Sequence, residues 1–142
     1  MNNEREIETL LNSEEKANEE LSRMGFTDSL EDNIAFAVNF ISELEKGLKK
    51  QDDSAQSLLD ELEKMSSEAK ENIKKTQGEK NVIEHAKELK ESTFEIYSFC
   101  VQTREKFNNK KTELHTNQDF LNYLISEFLP AIDKIQEMNG GK

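Results

Sequence analysis

From Val82 to Met138 the chain holds one hydrophobic phase. Val82, Ala86, Leu89, Ile96, Cys100, Phe107, Leu114, Leu121, Leu124, Phe128, Ala131, Ile135 and Met138 recur at spacings of three and four, with Thr93, Thr103, Lys110 and Asn117 on the same lines. A seven-residue repeat kept over eight heptads matches the period of packed helices, whereas a half-buried strand alternates with period two. No segment alternates long enough to make a strand. One Pro and five Gly in 142 residues are too few for the frequent turns of sandwiches, barrels or doubly wound sheets. The expected fold is all-α: an elongated helical bundle, or antiparallel coiled-coil hairpins, of four to five long helices in one domain over 1–142.

The earlier part of the chain divides at capping signals. A first helix is expected over 3–24, striped by Ile7, Leu10, Glu14, Ala17, Leu21 and Met24, with Glu14 as a charged interruption. Gly25 is placed to end it and Phe26 to fold back on its last turn. Residues 1–24 therefore read as an acidic arm, detachable from a helical core over 27–138. A second helix starts near Thr27-Asp28-Ser29, where Asp28 and Glu31 have capping-box spacing. Its stripe is Leu30, Ile34, Ala37, Ile41, Leu44 and Leu48, and Phe36, Val38 and Phe40 widen it almost all round. Such a helix is expected to be buried, the centre of the fold. A third helix is expected after Asp52-Asp53-Ser54, capped by Asp53 and Gln56, striped by Ala55, Leu58, Leu62, Met65 and Ala69, and ending at Thr76-Gln77-Gly78.

Within the last third, Thr103, Lys110 and Asn117 put three polar residues in succession on one seam line. Asn108-Asn109 and Thr116-x-x-Asp119 add a stop and a start, so a break is expected within 108–118. Pro130 lacks an amide donor and disfavours a helical residue before it. The phase passes through it, which predicts a kink rather than an end. Residues 139–142 read as a disordered tail.

Residues with catalytic or ligating chemistry do not assemble into a recognised pattern. Di-iron bundles use Glu-x-x-His pairs, yet Val82 and Thr112 precede His85 and His115 by three. Cys100 lies on the seam and reads as a small buried hydrophobe. Adjacent carboxylates such as Glu14-Glu15, Glu19-Glu20 and Asp52-Asp53 follow from thirty acids in the chain. No phosphate loop, nucleophile elbow or calcium-loop spacing is present. The expectation is a non-enzymatic chain with no cofactor, no metal and no small-molecule substrate.

The aromatic residues leave two readings open: they widen the core of a multi-helix bundle, or they form a second apolar face used by another chain. Phe36, Phe94, Phe99, Phe120 and Tyr123 lie off the main seams, as in a subunit whose second apolar face meets another chain. The expected partner-binding residues are Phe94, Phe99, Phe120, Leu121, Leu124, Phe128, Ile132 and Ile135. Net charge is −11, and residues 1–32 carry −7 of it, from ten acids and three bases. That argues against a nucleic-acid partner, which asks for a basic face. The longest apolar run, Ile34 to Val38, is far short of a membrane span. The first residues, Met1-Asn-Asn-Glu-Arg-Glu, lack the basic start and apolar core of a signal peptide, and a lone cysteine leaves no internal disulfide. The expected location is cytoplasmic or nuclear. The functional expectation is a coiled-coil interaction or scaffold subunit that assembles with itself or with other helical chains. The alternative is a small acidic inhibitor or decoy that occupies a basic groove. Gly25-Phe26-Thr27, Ala35-Phe36 with Phe40, and Lys111-Thr112-Glu113-Leu114 ahead of a coil resemble a family of kinetochore scaffold subunits. The resemblance implies a scaffold role and assigns no residue a function.

Overall fold

The computed structural model describes the backbone of residues 2–68 and 77–140, and the side chains of 13–65 and 82–140. It is all-helical, with no strand among the described residues. Helix α1 (Asn2–Arg23) ends as its sequence predicts. Gly25 has φ 94°, Phe26 N–H donates to the Leu21 carbonyl at 2.8 Å and Gly25 N–H to that of Ser22 at 3.1 Å. This left-handed closure satisfies the last carbonyls and turns Phe26 back over the helix.

Helix α2 (Leu30–Glu68) opens one residue later than expected. Ser29 Oγ, not Asp28, accepts the Asp32 N–H at 3.3 Å, while Thr27 Oγ1 accepts the Ser29 N–H at 3.1 Å. The helix then runs straight through Asp52-Asp53-Ser54, where a new one was expected. Acids with capping spacing also serve inside helices. Asp52 is buried and bound to another helix, as described below.

Helix α3 (Gln77–Lys110) follows. Of the expected break at Thr76-Gln77-Gly78, Thr76 lies with the rest of 69–76 outside the described residues, whereas Gln77 and Gly78 do not break a helix but form the first residues of α3. Ala69 of the expected third-helix stripe is also outside the described residues. The break within 108–118 is present. After α3 comes a 3-10 turn, Lys111–Glu113, and then Leu114 in extended conformation. Helix α4 (Asn117–Tyr123) is capped by Thr116, whose hydroxyl accepts the Asp119 N–H at 3.1 Å. The Asp119 carboxylate answers by accepting the His115 N–H at 3.1 Å.

Helix α4 passes without a gap into a π-helical turn, Leu124–Phe128, and then α5 (Leu129–Met138). Pro130 explains the turn. Its ring crowds the carbonyl four residues back, and it has no N–H to offer. Leu129 N–H instead reaches the Leu124 carbonyl five residues back, which widens the helix ahead of the proline.

The residues form two compact units. Unit 1 comprises 1–42 and 102–134; unit 2 comprises 43–101 and 135–142. In unit 1 the core is Ala17, Leu21, Ala37, Ile41, Phe107, Leu114, Phe120, Leu121, Leu124, Phe128 and Ile132. In unit 2 it is Leu48, Ala55, Ala86, Ile96, Cys100 and Ile135. Ile41 is buried as expected, but α2 is not buried all round. Phe36 and Phe40 are 57% and 43% exposed, because packing covers only the Ala37/Ile41 side of that helix.

Candidate functional site

Unit 1 is held together by buried amides. Asn117 and Asn33, 3% and 1% exposed, meet through Asn33 Nδ2 donating to Asn117 Oδ1 at 3.2 Å. Asn117 Nδ2 donates to Asn18 Oδ1 at 2.8 Å and to the Asp28 carbonyl at 2.7 Å. Asn33 pairs with the Thr27 backbone in both directions, each bond 2.9 Å. No buried side-chain polar atom among the described residues is left without a partner, so the cluster fixes register without an unsatisfied group.

Glu14 completes this arrangement. Its carboxylate accepts the Asn117 N–H at 2.8 Å and the Gln118 N–H at 3.0 Å. A helix start exposes N–H donors and a partial positive charge. The acid that interrupts the α1 seam is therefore the group that receives α4; α1 packs against α4, and Ala17 and Leu21 of the same helix are buried.

The expected partner-binding set is largely consumed inside the chain. Phe120, Leu121, Leu124, Phe128, Ile132 and Ile135 are all buried, from 0% to 8% exposed. Phe120 lies off the seam because it packs edge-on to Phe26 at 5.3 Å. Phe107 meets Phe128 at 5.4 Å and Tyr123 at 5.7 Å. Phe99 is half-buried. Phe94 alone of the eight is exposed, at 54%, with Lys90 Nζ 5.5 Å from its ring centre. Of the off-seam aromatics, Phe120 widens the core and Phe99 and Tyr123 do so in part, whereas Phe36 and Phe94 stay exposed; a core shared by several helices needs more than one apolar line from each.

Unit 2 is built around a buried ion pair. Lys90 Nζ donates to both carboxylate oxygens of Asp52, at 2.8 and 2.7 Å, and the Thr93 hydroxyl donates to Asp52 Oδ1 at 3.0 Å. The Asp52 side chain is 10% exposed and that of Lys90 23%. Such a pair contributes little net stability, but it fixes the register of α2 against α3, since displacing either partner would strand a charge.

Beside this lock lies an apolar groove of about 620 Å³. Ala55 and Leu58 of α2 form one wall and Leu89, Thr93 and Ile96 of α3 the other, with Met138 and Gly140 at one end. Gly140, with φ 82°, closes the turn after α5. Ile135, one turn before Met138, is buried, whereas Leu58 and Leu89 are 44% and 48% exposed. The heptad stripe thus carries apolar side chains where no described helix covers them. Leu58 and Leu89 were legible as stripe residues; their exposure was not, because periodicity reports a face and not what sits on it.

Other groups are ordinary. His85 is exposed and 3.7 Å from Glu88. Cys100 is fully buried. Among the described residues, no three of His, Cys, Asp and Glu converge as a metal site, and no helix is long and apolar enough to cross a membrane. Burial, with Glu127 adding a nearby negative charge, raises the Tyr123 phenol above its ordinary value of 10.0. Comparison with known protein families, with curated proteins and with solved structures finds no match.

Proposed function

We propose that the protein is a non-enzymatic helical interaction subunit, and that the unit 2 groove receives the apolar edge of a helix by coiled-coil-like packing. The observation that carries this reading is the open seam. Leu58 and Leu89 stand half-exposed in an apolar groove whose register is fixed by the Asp52–Lys90–Thr93 lock. A wall held rigid before binding has little ordering left to do when the partner arrives. In sequence, unit 2 interleaves fifteen acids with eleven bases, the kind of mixed pattern that sets partner and register between helices. The occupant proposed is a helix of a second copy.

Sedimentation over a wide concentration range tests it. The wild-type protein is expected to gain mass with concentration. A Leu58→Glu/Leu89→Glu variant is expected to stay monomeric with unchanged helicity and melting. A wild-type chain that remains monomeric throughout, or a variant that associates as well as wild type, would contradict the reading.

A further inference from the structure

We propose that unit 1 carries a second, separate docking surface: the aromatic row Phe36–Phe40, which takes a basic amphipathic segment of another protein. The two rings are one turn apart on α2, so they share a face, and they are 57% and 43% exposed. They are not loose surface residues. Phe36 stands edge-on to Phe26 at 5.3 Å and 83°, and Phe26 stands edge-on to the fully buried Phe120 at 5.3 Å and 74°. A chain of rings therefore runs from the core to the surface. Large aromatic rings held in place before binding are the groups that dominate interface energetics.

The charge around the row selects the partner. Asp32 lies one turn before Phe36 on the same face, with Glu31 beside it. Phe26 also lines a cavity of about 480 Å³ whose wall includes Glu19 and Asp28 together with Arg23. Arg23 is held by Glu20 at 3.2 Å. Glu19, Asp28, Glu31 and Asp32 have no cationic partner among the described residues. Residues 14–42 hold seven acids against two bases, in contrast to the interleaved charges of unit 2. An apolar row with an acidic border complements a helix that has lysine or arginine flanking its apolar edge. The same border repels phosphate backbones and anionic lipid surfaces.

This surface shares no residue with the unit 2 groove, so the two can fail independently. The test uses the full chain and two synthetic helical peptides with leucine on one face, one with lysine on the other face and one with glutamate. Binding is followed by fluorescence anisotropy at low and high salt. The lysine peptide is expected to bind, more weakly as salt rises, and the glutamate peptide not to bind. Phe36→Ser/Phe40→Ser is expected to weaken binding by about tenfold or more, which corresponds to about 1.4 kcal/mol, with circular dichroism unchanged because both rings are exposed. Glu31→Gln/Asp32→Asn is expected to flatten the salt dependence. Leu58→Glu/Leu89→Glu is expected to bind as wild type, which separates this surface from the groove. The proposal is overturned if both peptides bind alike, if the phenylalanine variant binds as wild type, if binding is lost in the groove variant instead, or if anionic vesicles or duplex DNA bind in place of the peptide.

Discussion

The two units solve the same problem in different ways. In unit 1, Phe120, Leu21 and Ile41 are completely buried, and Asn18, Asn33 and Asn117 are joined in one amide network. In unit 2, one ion pair with one hydroxyl sets α2 against α3, and part of the apolar stripe stays open. Exposed apolar side chains lie off the stripes, at Phe36 and Phe40 in unit 1 and Phe94 in unit 2, as well as on them, at Met24 in unit 1 and at Leu58 and Leu89 in unit 2. A stripe is therefore a poor guide to burial by itself. What decides is the number of helices that share it.

The largest expected effect tests that contrast directly. Phe120→Ala should destabilise the protein by ~3–5 kcal/mol, through lost transfer energy and the cavity left behind. Leu58→Ala should change stability by less than ~0.5 kcal/mol, as exposed positions do. Denaturant unfolding of both variants measures the difference, and similar costs would erase the distinction between a sealed and an open core.

Asp52→Ala comes next. It leaves Lys90 without its acceptor and the Thr93 hydroxyl with only the Lys90 carbonyl, 3.0 Å away, and because Lys90 is partly solvated the expected cost is about 2 kcal/mol, below that of a fully buried pair. Asp52→Asn should recover part of it by keeping the Thr93 hydrogen bond. If neither substitution moves the unfolding midpoint, the lock does not set the register of unit 2.

Glu14→Ala removes the acceptor of two N–H groups at the start of α4 and should cost about 1 kcal/mol. This variant also bears on α1. An unchanged melting temperature would mean that α1 is the loosely held acidic arm its charge suggests, rather than a docked part of unit 1.

The smallest effect concerns alkaline pH. The folded state holds the Tyr123 proton more tightly than the unfolded chain does, since its value is raised by burial first and by Glu127 second. Above the ordinary tyrosine value of 10.0 the unfolded chain releases that proton first, so stability is complete below this pH and declines above it. Tyr123→Phe should flatten the decline in a melting series across that range, while Asp52→Asn should leave it in place.

Much of the architecture is legible in local patterns because its causes are local. The closure of α1 at Gly25 needs a residue tolerant of positive φ followed by an apolar one. The start of α4 needs only Thr116 and Asp119 at the right spacing. Thirteen residues on the Val82–Met138 lines included Phe107, Leu124 and Ile135 because a helix buries one face at a fixed period. The failures share a different cause. Asp52-Asp53-Ser54 looks like a helix start, and Glu14 looks like a flaw in a seam, when each is read against its own helix. Both acids are bound by groups far along the chain, Lys90 in one case and the Asn117 and Gln118 amides in the other.

The sequence by itself determined that the chain is helical, where most of its helices stop, and which line of each helix seeks cover, because capping, turn chemistry and hydrophobic period act over a few residues. Only the tertiary structure decided which apolar side chains obtain that cover. It turned Phe120, Leu124 and Phe128 inward and left Phe36, Phe40, Leu58 and Leu89 at the surface. It also gave the buried polar residues their partners. The physical reason is that burial and hydrogen-bond satisfaction depend on which distant helices meet, and a periodic pattern carries no record of the neighbour that fills it.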